Sequence, residues 1–230
     1  MQLLIASTST VYGLPYLSYL REETHSLFAN RKKILFIPFA RSGGISCDAY
    51  TTKAAAVFNE WGFEMKGAHE FENPASALGW AEGIFAGGGN TFLLLKTIYE
   101  EQWFEPLNSA VRNGLPYMGT SAGANLCGIS IGTTNDMPIV LPPSLKAMGW
   151  VPYNINPHYL DPLPDSTHMG ETREDRIKEF HCFNAQPVIG LREGSFLRVK
   201  DGHIHLEGPR TARLFRAGQQ AVEIESGSLL

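Results

Sequence analysis

The sequence has few of the features that mark secreted, membrane or nucleic-acid-binding proteins. It contains three cysteines, an odd number, and none lies in a C-x-x-C pair, which indicates reduced thiols rather than a disulfide framework. No apolar run approaches the ~20 residues of a membrane span. The net charge of -4, without a dense Lys/Arg run, favours neither nucleic acid nor an anionic membrane as a partner. These absences predict a cytoplasmic protein.

Length and composition predict one globular domain over residues 1–230. Hydrophobic residues make up 43% of the chain and charged residues 18%, which is ordinary globular usage. No linker, internal repeat or low-complexity tract divides the chain, and 230 residues fit one α/β domain. The apolar start lacks a basic segment before it and turns polar at Ser7, which favours a first strand over a signal peptide.

Short apolar runs alternate with segments of helical period up to about Leu191. This alternation predicts an α/β fold with a mostly parallel, twisted sheet and helices on both faces. The predicted strands are 3–6, 34–39, 63–67, 83–86, 116–118 and 188–191. The predicted helices are 16–29, 48–61, 91–101 and 172–180.

The pattern changes to strict alternation beyond Leu191. Residues 196–199 and 203–206 flank an Asp201-Gly202 turn, which predicts a small antiparallel C-terminal hairpin at one edge of the main sheet. Residues 212–215 and 221–224 are predicted to extend this hairpin.

A candidate nucleophile lies in Gly119-Thr120-Ser121-Ala122-Gly123, between a predicted strand and a predicted helical turn. The G-x-S-x-G pattern suits a tight, strained turn that projects the serine hydroxyl at the carboxyl end of a strand. The N–H of Ala122, at a helix N-terminus, is then placed to bind an oxyanion. The alternative is that both glycines only permit close packing.

A glycine run, Gly87-Gly88-Gly89-Asn90, follows the predicted strand 83–86 and precedes a helix. In a parallel sheet this loop lies at the same edge as Ser121, where ligands bind. The N–H of Gly89 is the predicted second oxyanion donor. The same run could instead hold a phosphate.

A serine nucleophile needs a base, and the base needs an orienting carboxylate. His158 is the first candidate base because Pro157 ends a short predicted strand there, and His168 is the second. The candidate carboxylates are Asp136, in a Thr-Thr-Asn-Asp-Met-Pro segment, and Glu193, just past a predicted strand. Each of these side chains could also be purely structural.

These motifs together resemble the peptidase E family of aspartyl dipeptidases. The resemblance covers nearly the whole chain, in order: Gly87-Gly88-Gly89-Asn90, residues 119–125, residues 133–138, Asn156-Pro157-His158 and residues 170–173. It implies a fold like that of class I glutamine amidotransferases with serine in place of cysteine. It makes Ser121 the nucleophile and His158 the base, and it leaves the acid open between Asp136 and Glu193, with Glu193 expected to contact His158.

The resemblance also implies cleavage of dipeptides that begin with aspartate, so the site must bind a β-carboxylate. Arg173 is the predicted carboxylate ligand, since a guanidinium can clasp a carboxylate with two hydrogen bonds. The alternative is a surface ion pair with Glu171, Glu174 or Asp175. Asn90 is the second predicted substrate-binding residue.

Two other functions stay open at this point: a cyanophycinase-like hydrolase of β-aspartyl-arginine units, and a non-catalytic module that binds a nucleotide or phosphate. No cofactor or metal is predicted, since His203 and His205 have no further ligands nearby in sequence. A small peptide is the expected partner, and the chain is expected to be a monomer or homodimer.

Overall fold

Two sheets organise the chain in the computed structural model, which describes residues 1–162, 167 and 169–230. The main sheet has seven strands in the order β3-β2-β4-β5-β1-β8-β9. They are β1 (Leu3–Ala6), β2 (Lys33–Ile37), β3 (Glu64–Gly67), β4 (Gly83–Ala86), β5 (Tyr117–Thr120), β8 (Phe196–Lys200) and β9 (His203–Glu207). The first five strands pair in parallel, and β8 and β9 pair antiparallel at one edge.

A second sheet, which the sequence did not predict, has the strand order β11-β10-β7-β6. Its strands are β6 (Asn154–Pro157), β7 (Val188–Leu191), β10 (Ala212–Phe215) and β11 (Val222–Ile224). The predicted strand 188–191 therefore pairs in parallel with β6 rather than in the main sheet. The segments near 212–215 and 221–224 pair with β7 and with each other, so the prediction that they extend the β8–β9 hairpin was wrong.

Seven α-helices are present in the described residues: α1 (Arg21–Leu27), α2 (Cys47–Glu60), α3 (Pro74–Trp80), α4 (Thr91–Glu100), α5 (Phe104–Arg112), α6 (Ala122–Asn125) and α7 (Arg173–His181). Helices α3 and α5 were not predicted. Helix α3 carries a signal that the prediction overlooked, because Asn73 caps its N-terminus and Pro74 opens it. No helix in the described part of the chain is long and apolar enough to cross a membrane.

The core lies on both faces of the main sheet. Residues of β1 alternate between two clusters, with Leu3 and Ile5 in one and Leu4 and Ala6 in the other. Helices α1 and α2 cover the Leu4 face, whereas α3, α4, α5 and α6 cover the Leu3 face. The predicted α/β class, with a mostly parallel sheet between helices, is confirmed.

The sheet order brings several loops to one edge. Strands β4, β5 and β1 are neighbours and run in parallel, so the loops that follow them leave at a common carboxyl edge. Strand β2 lies on the other side of β4 and contributes the segment after Ile37. Ligands of open α/β sheets bind at this edge.

Candidate active site

Ser121 lies in a strained turn between β5 and α6. Its backbone has φ 53° and ψ -109°, a left-handed conformation that is costly for a residue other than glycine. A Cβ on Gly119 would lie 2.3 Å from the carbonyl oxygen of Gly123, and a Cβ on Gly123 would lie 2.3 Å from that of Ala86. Both glycines are therefore required by close backbone approach, which holds Ser121 at the sheet edge.

His158 and Glu193 extend a continuous chain of contacts from Ser121. The Ser121 Oγ lies 3.0 Å from His158 Nε2, and His158 Nδ1 lies 2.7 Å from Glu193 Oε1. Because a carboxylate only accepts, a neutral His158 ring carries its proton on Nδ1, which leaves Nε2 to accept from the serine hydroxyl. The two side chains are 38% and 46% exposed, so substrate and solvent can reach the site.

Ser7, which was not among the predicted site residues, fixes the backbone at His158. Its Oγ accepts from the His158 N–H at 2.9 Å and donates to the Leu191 carbonyl at 2.8 Å. His158 has a φ of 52°, so its backbone leaves β6 in an unusual conformation. The hydroxyl of Ser7, fully buried at the end of β1, therefore joins the main sheet to the two strand ends that carry His158 and Glu193. A polar residue directly after an apolar strand was the available signal.

Replacing Ser7 with alanine is expected to leave the N–H of His158 and the buried carbonyl of Leu191 without this partner. We expect a loss of about 1–3 kcal/mol in the free energy of unfolding and a reduced kcat from a less ordered His158. Chemical denaturation and steady-state kinetics measure both effects. Ser7→Thr keeps the hydroxyl and is the matched control; an alanine variant as stable and active as the parent protein would contradict this role.

Gly88 and Gly89 line the other side of Ser121. A Cβ on Gly88 would lie 3.1 Å from the Ser121 Cβ and 3.5 Å from its Oγ, so this glycine contacts the serine directly. Gly89 has a φ of 144°, and a Cβ on it would lie 2.2 Å from the Ala40 carbonyl oxygen. The N–H groups of Gly88, Gly89 and Ala122 donate to no protein acceptor among the described residues. They are available for a ligand oxygen.

Asp136 does not contact His158; its carboxylate binds the opening of α4 instead. One oxygen accepts from the Thr91 N–H at 2.7 Å and the Thr91 hydroxyl at 2.5 Å, and lies 3.1 Å from the Thr134 hydroxyl. The Asn125 amide, on the helix after Ser121, donates to both hydroxyls at 3.1 and 3.4 Å. Asp136 thus connects the glycine loop before α4 to the helix that follows the serine.

Arg173 opens α7 and lines a cavity of about 60 Å³ with Asn135 and Asn156. Burial lowers the pKa of the Arg173 guanidinium, and the like charge of Arg176 lowers it further, whereas Asp136 opposes both. Two of the three carboxylates proposed as surface partners are engaged elsewhere: Glu174 pairs with Lys178 and Arg213, and Asp175 caps α7. No ion pair to Arg173 occurs within the described ranges. A half-buried positive charge of this kind favours an anionic ligand.

The Asn90 side chain is engaged within the protein at both ends. Its Oδ1 accepts from the Leu93 N–H, and its Nδ2 donates to the Met137 carbonyl at 2.8 Å. These bonds cap α4 and hold the segment after Asp136, and a substrate contact by Asn90 stays a prediction. His168, the second candidate base, lies outside the described residues. No group of three or more His, Cys, Asp or Glu side chains suited to a metal ion occurs in the described part of the chain.

Comparison with known proteins gives the family. The model of Peptidase family S51 matches residues 3–207. The chain belongs to peptidase family S51. The resemblance drawn from the sequence motifs is therefore confirmed.

Relatives within family S51 match along nearly the whole length. Peptidase E of Streptomyces coelicolor is 46% identical over 228 residues, which cover 99% of this chain and 93% of the relative. A probable alpha-aspartyl dipeptidase of Drosophila melanogaster is 45% identical over 218 residues, which cover 94% and 90%. Peptidase E of Shigella sonnei is 42% identical over 230 residues, which cover 99% of both chains.

Two solved structures share the S51 fold. A peptidase from an acI-B1 actinobacterium matches with a TM-score of 0.72 at 17% identity and covers all of this chain and 96% of its own. A putative peptidase E protein from Listeria monocytogenes EGD-e matches with a TM-score of 0.68 at 17% identity, over 91% of this chain and 98% of its own. At these identities the likeness concerns the fold alone.

Proposed function

We propose that this S51 peptidase is a serine dipeptidase that hydrolyses Asp-X dipeptides through an acyl-enzyme. The observation that carries the proposal is the unbroken contact from Ser121 to His158 to Glu193, beside backbone N–H groups that have no protein acceptor among the described residues. The names of the relatives support the substrate class. Residues 1–230 as one domain, a cytoplasmic location and a monomeric or homodimeric state stay predictions.

In the first step His158 Nε2 accepts the Ser121 proton while Oγ attacks the carbonyl carbon of the aspartyl residue. The negative charge that develops on the carbonyl oxygen is stabilised by the N–H of Ala122 and an N–H of the glycine loop, where Gly89 is the predicted donor. Gly88 contacts Ser121 and is the neighbouring candidate. These N–H groups need no rearrangement, since no protein acceptor among the described residues competes for them.

In the second step the protonated His158 donates its Nε2 proton to the leaving amine, and the peptide bond breaks. Glu193 stabilises the imidazolium at 2.7 Å from Nδ1. Water then attacks the aspartyl ester, with His158 taking a proton from it, and Ser121 leaves as the free hydroxyl. Free aspartate and the second amino acid are the products.

Arg173 supplies the proposed selectivity for aspartate. It is half-buried, and among the described residues it has no ion-pair partner. A β-carboxylate would neutralise this charge with two parallel hydrogen bonds. A substrate without that carboxylate would leave the guanidinium desolvated and unpaired, which is the condition for strong discrimination.

A panel of X-Leu dipeptides tests the proposed function directly. We expect Asp-Leu to be hydrolysed and Ala-Leu, Asn-Leu and Lys-Leu to be poor substrates. Labelling by a fluorophosphonate, lost in Ser121→Ala, would establish the serine nucleophile. Preferential cleavage of β-Asp-Arg would instead make the chain a cyanophycinase-like hydrolase, and a protein that cleaves no peptide and resists labelling would refute the proposal.

Replacing Arg173 with methionine is expected to lower kcat/KM for Asp-Leu about 100- to 1000-fold, because the β-carboxylate loses a charged partner in a partly buried site. Hydrolysis of Ala-Leu should change little, so the Asp-over-Ala preference should collapse. Lys178→Met is the matched control, since Lys178 is an exposed cation on the same helix. An Asp-over-Ala ratio unchanged by Arg173→Met would rule out this specificity role.

A further inference from the structure

Arg41 follows the carboxyl end of β2 and borders the glycine loop. Its neighbour Ala40 accepts a hydrogen bond from the Asn90 N–H at 2.6 Å. Gly89 packs against the same Ala40 carbonyl, which fills the position that a Cβ on Gly89 would take. The backbone that carries Arg41 is therefore packed against the loop whose N–H groups are available to a ligand oxygen.

The buried ring of Tyr50 orients the Arg41 guanidinium. The guanidinium carbon lies 5.0 Å from the ring centroid, within the range of a cation–π interaction. Tyr50 is 1% exposed, and its hydroxyl donates to the Gly88 carbonyl at 3.0 Å. Gly88 in turn contacts Ser121. One rigid aromatic side chain thus connects the position of Arg41 to the loop beside the nucleophile.

Arg41 places a positive charge without a carboxylate partner among the described residues at the carboxyl edge of the main sheet. It is exposed, and no carboxylate pairs with it within residues 1–162, 167 and 169–230. Arg173 is a second guanidinium that borders the site, and it lines the cavity formed with Asn135 and Asn156, together with Arg176. The site therefore presents guanidinium groups on two separate segments, from β2 and α7.

An Asp-X dipeptide also carries two carboxylates. One is the aspartyl β-carboxylate, and the other is the α-carboxylate of residue X. Three bonds separate the scissile carbonyl carbon from the carbon of that α-carboxylate, a distance of about 3–4 Å. The α-carboxylate of a bound dipeptide must therefore lie close to the loop around Ser121. Tyr50 donates to this loop, and the Arg41 guanidinium lies over the Tyr50 ring.

We propose that Arg41 binds the α-carboxylate of residue X and thereby selects dipeptides over longer or C-terminally blocked peptides. The inference rests on the proposed function and extends it to the length of the substrate. In a tripeptide or a dipeptide amide a neutral amide replaces this carboxylate, so the charged hydrogen bond to Arg41 is lost. Arg41 is in this view a specificity-determining residue, with no part in the proton transfers.

The experiment compares Asp-Leu, Asp-Leu-amide and Asp-Leu-Gly as substrates of the parent protein and of Arg41→Met. The parent protein should prefer Asp-Leu over the amide and the tripeptide by about 10- to 100-fold in kcat/KM, the range of a hydrogen bond to a charged group. Arg41→Met should lower kcat/KM for Asp-Leu by a similar factor and leave the other two substrates nearly unchanged. Arg41→Lys keeps the charge and should restore part of the preference.

Arg31→Met is the matched control, because Arg31 precedes β2 and lies at the opposite end of that strand. It should leave all three substrates unaffected. Equal cleavage of Asp-Leu and its amide by the parent protein would overturn the role of Arg41 while the proposed function stands, as would an equal loss on all three substrates in Arg41→Met. If the parent protein cleaves none of them, the proposed function fails and the role of Arg41 falls with it.

Discussion

Replacing Ser121 with alanine is expected to lower kcat for Asp-Leu by about 10⁶-fold, the scale seen when a serine nucleophile is removed from a comparable triad. In the proposed mechanism this hydroxyl forms the ester, and its oxygen lies 3.0 Å from His158 Nε2. Kinetics with purified protein, together with fluorophosphonate labelling, measure the loss. The expected residual rate is that of substrate bound beside the backbone N–H groups without a covalent step.

The folded state should survive this substitution. Alanine adopts the left-handed backbone of Ser121 at a cost similar to that of serine, and no buried polar group loses its main partner. We expect a change in the free energy of unfolding within about 0.5–1 kcal/mol. Ser109→Ala, on the exposed side of α5, is the control for the effect of removing a hydroxyl. Near-normal turnover by Ser121→Ala would remove the acyl-enzyme mechanism.

Replacing Glu193 with glutamine is expected to have the second large effect. We expect kcat to fall by about 10³- to 10⁴-fold. The amide carries no charge to stabilise the His158 imidazolium. Its NH₂ group can also donate to Nδ1 and leave Nε2 protonated, unable to accept from Ser121. Because both groups are partly exposed, protein stability should change little. Steady-state kinetics and thermal unfolding of the same preparation measure the two effects.

Asp136→Asn is the matched comparison, since it makes the same chemical change in the other candidate carboxylate. Asp136 binds the N–H and hydroxyl of Thr91, so the loss should appear as about 1–3 kcal/mol of stability, with any fall in kcat following from a displaced glycine loop. A stable Asp136→Asn variant with a greater loss of kcat than Glu193→Gln would reverse the assignment of the acid.

Much of the main sheet was predictable because four of its five parallel strands are short, mostly apolar runs. These four runs, in β1, β2, β4 and β5, are buried over nearly their whole length. The second sheet was not predictable in the same way. The run at 188–191 is apolar whichever sheet it joins, and its partner β6 contains two asparagines, so local pattern did not reveal the pairing.

The residues of the candidate site also fall into those that local sequence predicts and those that it does not. Ser121 and the glycine loop were found from sequence because sharp turns at strand ends require small residues at fixed spacing, a constraint between near neighbours. Glu193 was expected to contact His158, but the roles of Asp136 and Glu193 stayed open, since neither carboxylate is near residue 158 in the chain. Ser7, 151 residues from His158, was missed for the same reason.

The sequence by itself determined the α/β class, the family and the turn that carries the proposed nucleophile, because periodicity, composition and short motifs depend on residues close together in the chain. Only the tertiary structure decided how closely Glu193 approaches His158, that Asp136 supports the glycine loop, and that Arg41 rests on Tyr50. These contacts depend on strand order and on two sheets packed side by side, and no local pattern encodes which distant side chains such packing brings within hydrogen-bonding distance.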